Sequence, residues 1–119
     1  MTEIQSSKQY DLEERTLRFA KSIHGYVNKL PRTVPNVEVG KQLVRAGGSI
    51  GANYIEANES LSKKDFIMRI KISRKEAKES RYWLELTEPL EAETTNKHGL
   101  TQEALELTKI FSSILEKSK

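Results

Sequence analysis

Residues 45–59, RAGGSIGANYIEANE, place three glycines in a segment whose flanks have helical periodicity. Each glycine inside a helix costs roughly 1 kcal/mol relative to alanine, so an offsetting gain is required, and close backbone approach by another element supplies one. On a wheel stepped at about 100° per residue, Leu43, Ala46, Ile50, Tyr54 and Ala57 form a core-facing set, with Arg45, Ser49, Asn53 and Glu56 in a polar stripe beside it. Val44, Gly47, Gly48, Gly51, Ala52 and Ile55 fill the rest of the circle with small or apolar groups. Little of this helix resembles a solvent face. One side is therefore expected to pack in a bundle. The other, carrying Val44, Gly48, Gly51, Ala52 and Ile55, is expected to meet a second copy of the chain or to form a tight intrachain crossing.

The remaining pattern supplies the partners. Leu12, Phe19, Ile23, Val27 and Leu30 share one face of a first helix over about 11–30, and the prolines of LPRTVP mark the link to the glycine-rich helix, about 36–58. Ser62, with Asp65 three residues on, is a capping start for a third helix over about 63–88, whose inner stripe is Phe66, Ile70, Ser73, Ala77, Ser80 and Leu84 and which Pro89 stops. EPLEAETTNKHG reads as a loop, after which Thr101 caps a fourth helix, about 102–117, with Leu107, Ile110, Phe111, Ile114 and Leu115 inside. Four helices, short links and no strand pattern predict an all-α, antiparallel up-down four-helix bundle, one domain over 1–119.

Composition narrows the chemistry. Cysteine is absent, which excludes disulfides and thiolate metal sites and agrees with a reducing cytoplasm; from the polar start no secretory leader is expected, and no apolar run is long enough for a membrane-spanning helix. His24, mid-helix, and His98, read as a loop residue beside Gly99, lack metal-ligand spacing, and AGGSIGA lies in a helix rather than on a phosphate-cradling loop. A Ser49–His24 nucleophile pair has no further support in the sequence. The reading is a non-enzyme with no cofactor and no metal.

Two polar constellations remain. Arg45 and Glu56 are three turns apart on the polar stripe, so each is expected to pair with the third helix, where Arg69 and Glu76 flank the apolar stripe. If fully buried, Arg45→Ala or Glu56→Ala would leave a partner uncompensated at roughly 3–5 kcal/mol. On the third helix Lys64, Lys71, Arg74, Lys75, Lys78 and Arg81 lie opposite or beside the apolar stripe. Residues 63–85 hold eight basic against four acidic side chains, although the whole chain is only +3. Such a face is either a solvated surface or a phosphate-binding one; Tyr82 and Trp83 at its end could stack on bases or seal the bundle.

QLVRAGGSIGANYIEANES and KKDFIMRIKISRKEAKESRYWLEL, with the Leu-Pro link, resemble the bacterial four helix bundle protein family, first described as proteins encoded by intervening sequences within 23S ribosomal RNA genes; the likeness spans about residues 10–115. The resemblance implies an antiparallel bundle assembled as a homopentamer, with recurrent polar positions at Arg45, Ser49, Asn53 and Glu56. It departs at Asn58, where many members have glycine, so the exit of the second helix is expected to differ. A more distant likeness, to the pentameric accessory variability determinant of diversity-generating retroelements, points to nucleic acid or a nucleic-acid-processing protein as a partner. The function expected is a non-catalytic oligomeric scaffold or adaptor binding RNA or such a protein through the basic face of helix three. The alternative is a protein-only assembly module.

Overall fold

The structure, a computed structural model, describes residues 2–119, with side chains from Leu12 onward. Its helices are α1 (Thr2–Asn28), α2 (Val34–Asn58), α3 (Lys63–Leu86) and α4 (Thr94–Lys117), with a single 3-10 turn, Glu91–Glu93, before the last. Each packs chiefly on its neighbour in sequence, α1 on α2, α2 on α3 and α3 on α4, in an up-down bundle.

The local chemistry explains the ends. Thr33 accepts a hydrogen bond from the Asn36 amide and Pro35 sits in the first turn, so α2 starts two residues ahead of its expected position. Ser62 caps α3 by accepting from the Asp65 amide. α2 closes at Asn58 without a left-handed residue, and the Asn58 side chain donates instead to Glu13 on α1 at 3.2 Å.

The expected loop before α4 is corrected. α4 begins at Thr94, and Thr101 lies well inside it, donating its hydroxyl to the Lys97 carbonyl at 2.8 Å rather than capping an end. His98 is thus an exposed helical residue, and Gly99 faces open space. A tertiary contact supports the added turns. Lys97 Nζ donates to the carbonyls of Thr87 (2.9 Å) and Glu85 (3.4 Å), serving the unsatisfied C-terminus of α3, which ends at Leu86 rather than near residue 88.

Leu12, Phe19, Ile23 and Leu30 of α1, Leu43, Ala46, Ile50, Tyr54 and Ala57 of α2, Ile70, Ala77 and Leu84 of α3, and Leu107 and Phe111 of α4 are buried as the periodicities require. Among the expected inner residues, Val27, Phe66, Ile110, Ile114 and Leu115 are half-buried against that core. Ser73 and Ser80 sit inside it with their hydroxyls satisfied, Ser73 donating to the Ile50 carbonyl across the α2–α3 contact and Ser80 to Glu76 of its own helix.

The glycines resolve into two kinds. A Cβ on Gly51 would stand 2.8 Å from Thr16 Oγ1, one on Gly40 would stand 3.1 Å from Val27 Cγ1, and one on Gly47 would stand 3.4 Å from Ile23 Cγ1. These three admit α1 against α2. Gly48 has nothing within 4 Å and is exposed. The tight crossing is therefore intrachain at Gly51, which belongs to the α1 seam rather than to an outer face.

At one end of the bundle, Asn36 ties two links together. Its amide donates to the Pro31 and Glu88 carbonyls at 3.0 and 2.9 Å while its oxygen accepts from the Glu88 amide at 2.9 Å. Nearby, Tyr26 donates to Thr87 Oγ1 at 2.6 Å, since the Thr87 hydroxyl is itself spent on the Leu84 carbonyl. Burial pushes the Tyr26 phenol above its usual range, with the Thr87 hydrogen bond opposing and Glu93 reinforcing; burial does the same at Tyr54, opposed by Asn58 and reinforced by Glu13.

Two outcomes follow from this packing. Gly51→Ala should destabilise the fold, because Thr16 is buried, β-branched and hydrogen-bonded to the Leu12 and Glu13 carbonyls and cannot swing away. Overpacking of about 1–3 kcal/mol exceeds the roughly 1 kcal/mol gained in helix propensity, whereas Gly48→Ala should stabilise by about 0.5–1 kcal/mol; urea unfolding of both variants checks the opposite signs. Alkaline pH should also weaken the fold. Above the unfolded phenol value of 10.0, the unfolded chain has lost protons that folded Tyr26 and Tyr54 retain, so stability is full below that pH and declines as pH rises through the folded values. Denaturation midpoints measured across this range should fall, and less steeply in a Tyr26→Phe, Tyr54→Phe double variant.

Candidate nucleic-acid interface

α3 buries one stripe and leaves the other to water. Lys71, Lys75 and Lys78 are exposed along its outer side and Arg74 is half-buried beside them. These four, with Glu79 and Tyr82, line one shallow, open surface groove of about 370 Å³ whose walls are side chains of α3 alone. Lys64 and Arg81 are exposed on the same helix, but the groove does not include them.

The charge in the groove is largely uncommitted. Among the described residues Lys71, Arg74 and Lys78 form no ion pair, and Lys75 has only a long contact, 4.0 Å, with Glu76. Arg74 reaches Ser112 of α4 at 3.5 Å. Glu79, the one carboxylate in the lining, is engaged from behind by Arg45 of α2, Nη2 to Oε1 at 3.5 Å. Tyr82 is 60% exposed although aromatic, and it meets the Trp83 ring at 5.1 Å with the planes 69° apart. Trp83 packs on the core, with its indole nitrogen buried and without a partner.

The polar stripe of α2 faces α3 as a register-setting network. Arg45 contacts Glu76 as well as Glu79, each at 3.5 Å, and Arg69 donates to Asn53 Oδ1 at 3.1 Å while Asn53 Nδ2 donates to the Ser49 carbonyl. Glu56 is different. It is exposed and forms no ion pair among the described residues, so the idea of a buried, paired Glu56 is corrected. Arg45 is itself half-exposed, while Glu76 is the buried member, only 7% exposed and with Oε1 lacking any hydrogen bond. Glu76 meets Arg45, as expected for a helix-three residue flanking the apolar stripe; Glu79 is the site residue that the sequence left in the background. Its signal was spacing, since Glu79 lies three residues after Glu76 and so shares its side of α3.

The remaining surface candidates split. Gly48, Ala52 and Ile55 are exposed on α2, Ile55 at 51%, whereas Val44 packs on the core and Gly51 lies under Thr16. Neither histidine joins a cluster, and no group of potential metal ligands occurs among the described residues. Nor is any described helix long and apolar enough to cross a membrane.

Residues 8–113 match the family described as 23S rRNA-intervening sequence protein. A 1.70 Å crystal structure of a protein of unknown function from the S23 ribosomal protein family of Bacteroides thetaiotaomicron superposes with a TM-score of 0.76 at 32% identity, covering 92% of this chain and 98% of that one. No curated protein matches the chain.

The Arg45–Glu76 contact should be measurable as a coupling. Arg45→Met should cost about 1–2 kcal/mol, less than a fully buried pair, because half of the guanidinium is solvated, and Glu76→Gln in the same background should recover part of that loss. Glu56→Ala should change stability by no more than about 0.5 kcal/mol. A double-mutant cycle read by urea unfolding provides the comparison, and strict additivity of Arg45→Met with Glu76→Gln would remove the coupling.

Proposed function

Since this chain belongs to the 23S rRNA-intervening sequence protein family, we propose that it is a non-catalytic cytoplasmic scaffold that binds RNA through the phosphate backbone at the α3 groove. The observation that carries this reading is the convergence of Lys71, Arg74, Lys75 and Lys78 on one groove whose only lining carboxylate is engaged by Arg45. Uncommitted cations attract phosphates by displacing counterions, and a chain whose net charge is only +3 concentrates that field by placing eight of its 20 basic residues on α3.

Self-assembly is the second part of the reading, and the exposed Gly48, Ala52 and Ile55 on α2 favour it. A small-residue face with an exposed isoleucine suits close approach by another copy, and a ring, a pentamer by family resemblance, would repeat the basic groove around its circumference. A protein-only assembly module would keep this face and make no use of the groove.

RNA should bind with little sequence preference and with affinity that falls as salt rises. Replacing Lys71, Arg74, Lys75 and Lys78 with Gln should flatten the log–log salt dependence by about 0.7–0.9 per lost contact, while Lys109→Gln and Lys117→Gln leave it unchanged. Equal binding by the parent and the four-Gln variant in a fluorescence-anisotropy titration would assign the protein to the assembly-only reading. Independently, light scattering should report a multiple of the 13.6 kDa chain mass, and Gly48→Leu should lower it without loss of helicity.

A further inference from the structure

Lys71, Lys75, Lys78 and Tyr82 follow one another at steps of four, three and four residues, so they form a single row on α3 about 16 Å long at 1.5 Å per residue. Three positions of that row are flexible cations. The fourth is an aromatic ring that, at 60% exposure, is left open to solvent at the end of the groove it lines.

The ring is held in place. Trp83, anchored against the core, meets it close to edge-on at 5.1 Å and 69°. In that geometry the edge of one ring points at the face of the other, so whichever way the pair is arranged Trp83 covers at most one face of Tyr82. At least one face stays free of Trp83, on a side chain that loses little freedom when something flat packs on it.

Resting on the phosphate-binding reading of this groove, we infer that its ligand is single-stranded nucleic acid, with an unpaired base stacked on Tyr82 and the adjoining phosphates on Lys78, Lys75 and Lys71. A base inside a duplex has both faces occupied by its neighbours and can offer one to Tyr82 only after the unfavourable steps of unstacking and unpairing; a single strand offers its faces freely. Stacking also explains an aromatic residue at a position where a purely electrostatic groove would use another lysine. The contact is indifferent to base identity, because every base has a π-face, and to the sugar.

The two parts of the site respond differently to salt, and this separates them. Full-length protein is titrated with short single-stranded RNA, the matching single-stranded DNA and the annealed RNA duplex over a range of salt concentrations. Tyr82→Ala should weaken binding of both single strands by about 5- to 100-fold with an unchanged log–log slope, since stacking releases no counterions, and should leave the duplex within about twofold. Tyr82→Phe should retain single-strand binding, which separates loss of stacking from loss of fold. Lys71→Gln with Lys75→Gln and Lys78→Gln should flatten the slope for every nucleic acid. If the lysine variant flattens the slope but Tyr82→Ala binds single strands as the parent does, the stacking inference fails and phosphate binding stands. A Tyr82→Ala loss of equal size on duplex and single strand also overturns it, as does a Tyr82→Ala variant whose only change is a lower oligomer mass, which would make Tyr82 a contact between copies. If the lysine variant changes nothing, the phosphate-binding reading itself is lost.

Discussion

The close approach of α1 to α2 at Thr16–Gly51, Ile23–Gly47 and Val27–Gly40 is the constraint on which the rest of the bundle depends. No glycine among the described residues has a positive φ, so none serves as a turn residue; these three are required because α1 side chains occupy the volume a Cβ would need. The helix-propensity cost, on the order of 1 kcal/mol at each, is offset by burial of Thr16, Ile23 and Phe19 at nearly zero exposure. With α1 on this side, the apolar stripe of α2, from Leu43 to Ala57, is left facing α3 and α4, and small residues of α3, Ser73, Ala77 and Ser80, let the second contact close in turn.

Polar chemistry then removes the remaining freedom. Apolar stripes tolerate sliding by a turn, whereas hydrogen bonds from Ser73 to the Ile50 carbonyl and from Arg69 to Asn53 do not. At the far end Asn36 makes three hydrogen bonds that join the α1–α2 link to the segment after α3, and Lys97 serves the α3 carbonyls from α4. Arg45 connects this scaffold to the outer groove. Reaching buried Glu76 and half-exposed Glu79 together, it partly compensates a carboxylate that would be costly alone and draws negative charge away from the lysine row. The α2 stripe and the α3 basic face, separate features on the helical wheels, are electrostatically one structure.

Likeness over nearly the full length of a crystallised protein of unknown function shows that the arrangement is shared without showing what it is for. In this chain the surface chemistry is carried by α3, and its members were already visible as residue types at helical spacing: Lys71, Lys75, Lys78 and Tyr82 recur on one side whatever α3 packs against. That, apart from the long Lys75–Glu76 contact, they are free of internal ion pairs was not visible. Glu76 and Glu79 lie within a turn of these lysines, and one-dimensional spacing alone would pair them; only the position of Arg45 on α2 decides where the Glu79 charge goes.

Periodicity, caps and prolines by themselves determined that this chain is four helices with one buried stripe each, because alternation at about 3.6 residues is a local property of the backbone that burial must satisfy. They also placed the boundaries of α2 and α3 within two residues, where Thr33, Ser62 and Pro89 act locally. Tertiary structure alone decided the start of α4, since Gly99 looks like a break until Lys97 has the α3 carbonyls to bind. It also decided the difference between Gly48 and Gly51, three residues apart and alike in sequence, one open to solvent and one filled by Thr16. It decided as well that Glu56 is a surface residue and Glu76 a buried one. Each of these depends on which helix lies alongside and at what distance, and no wheel drawn from a single segment contains that distance.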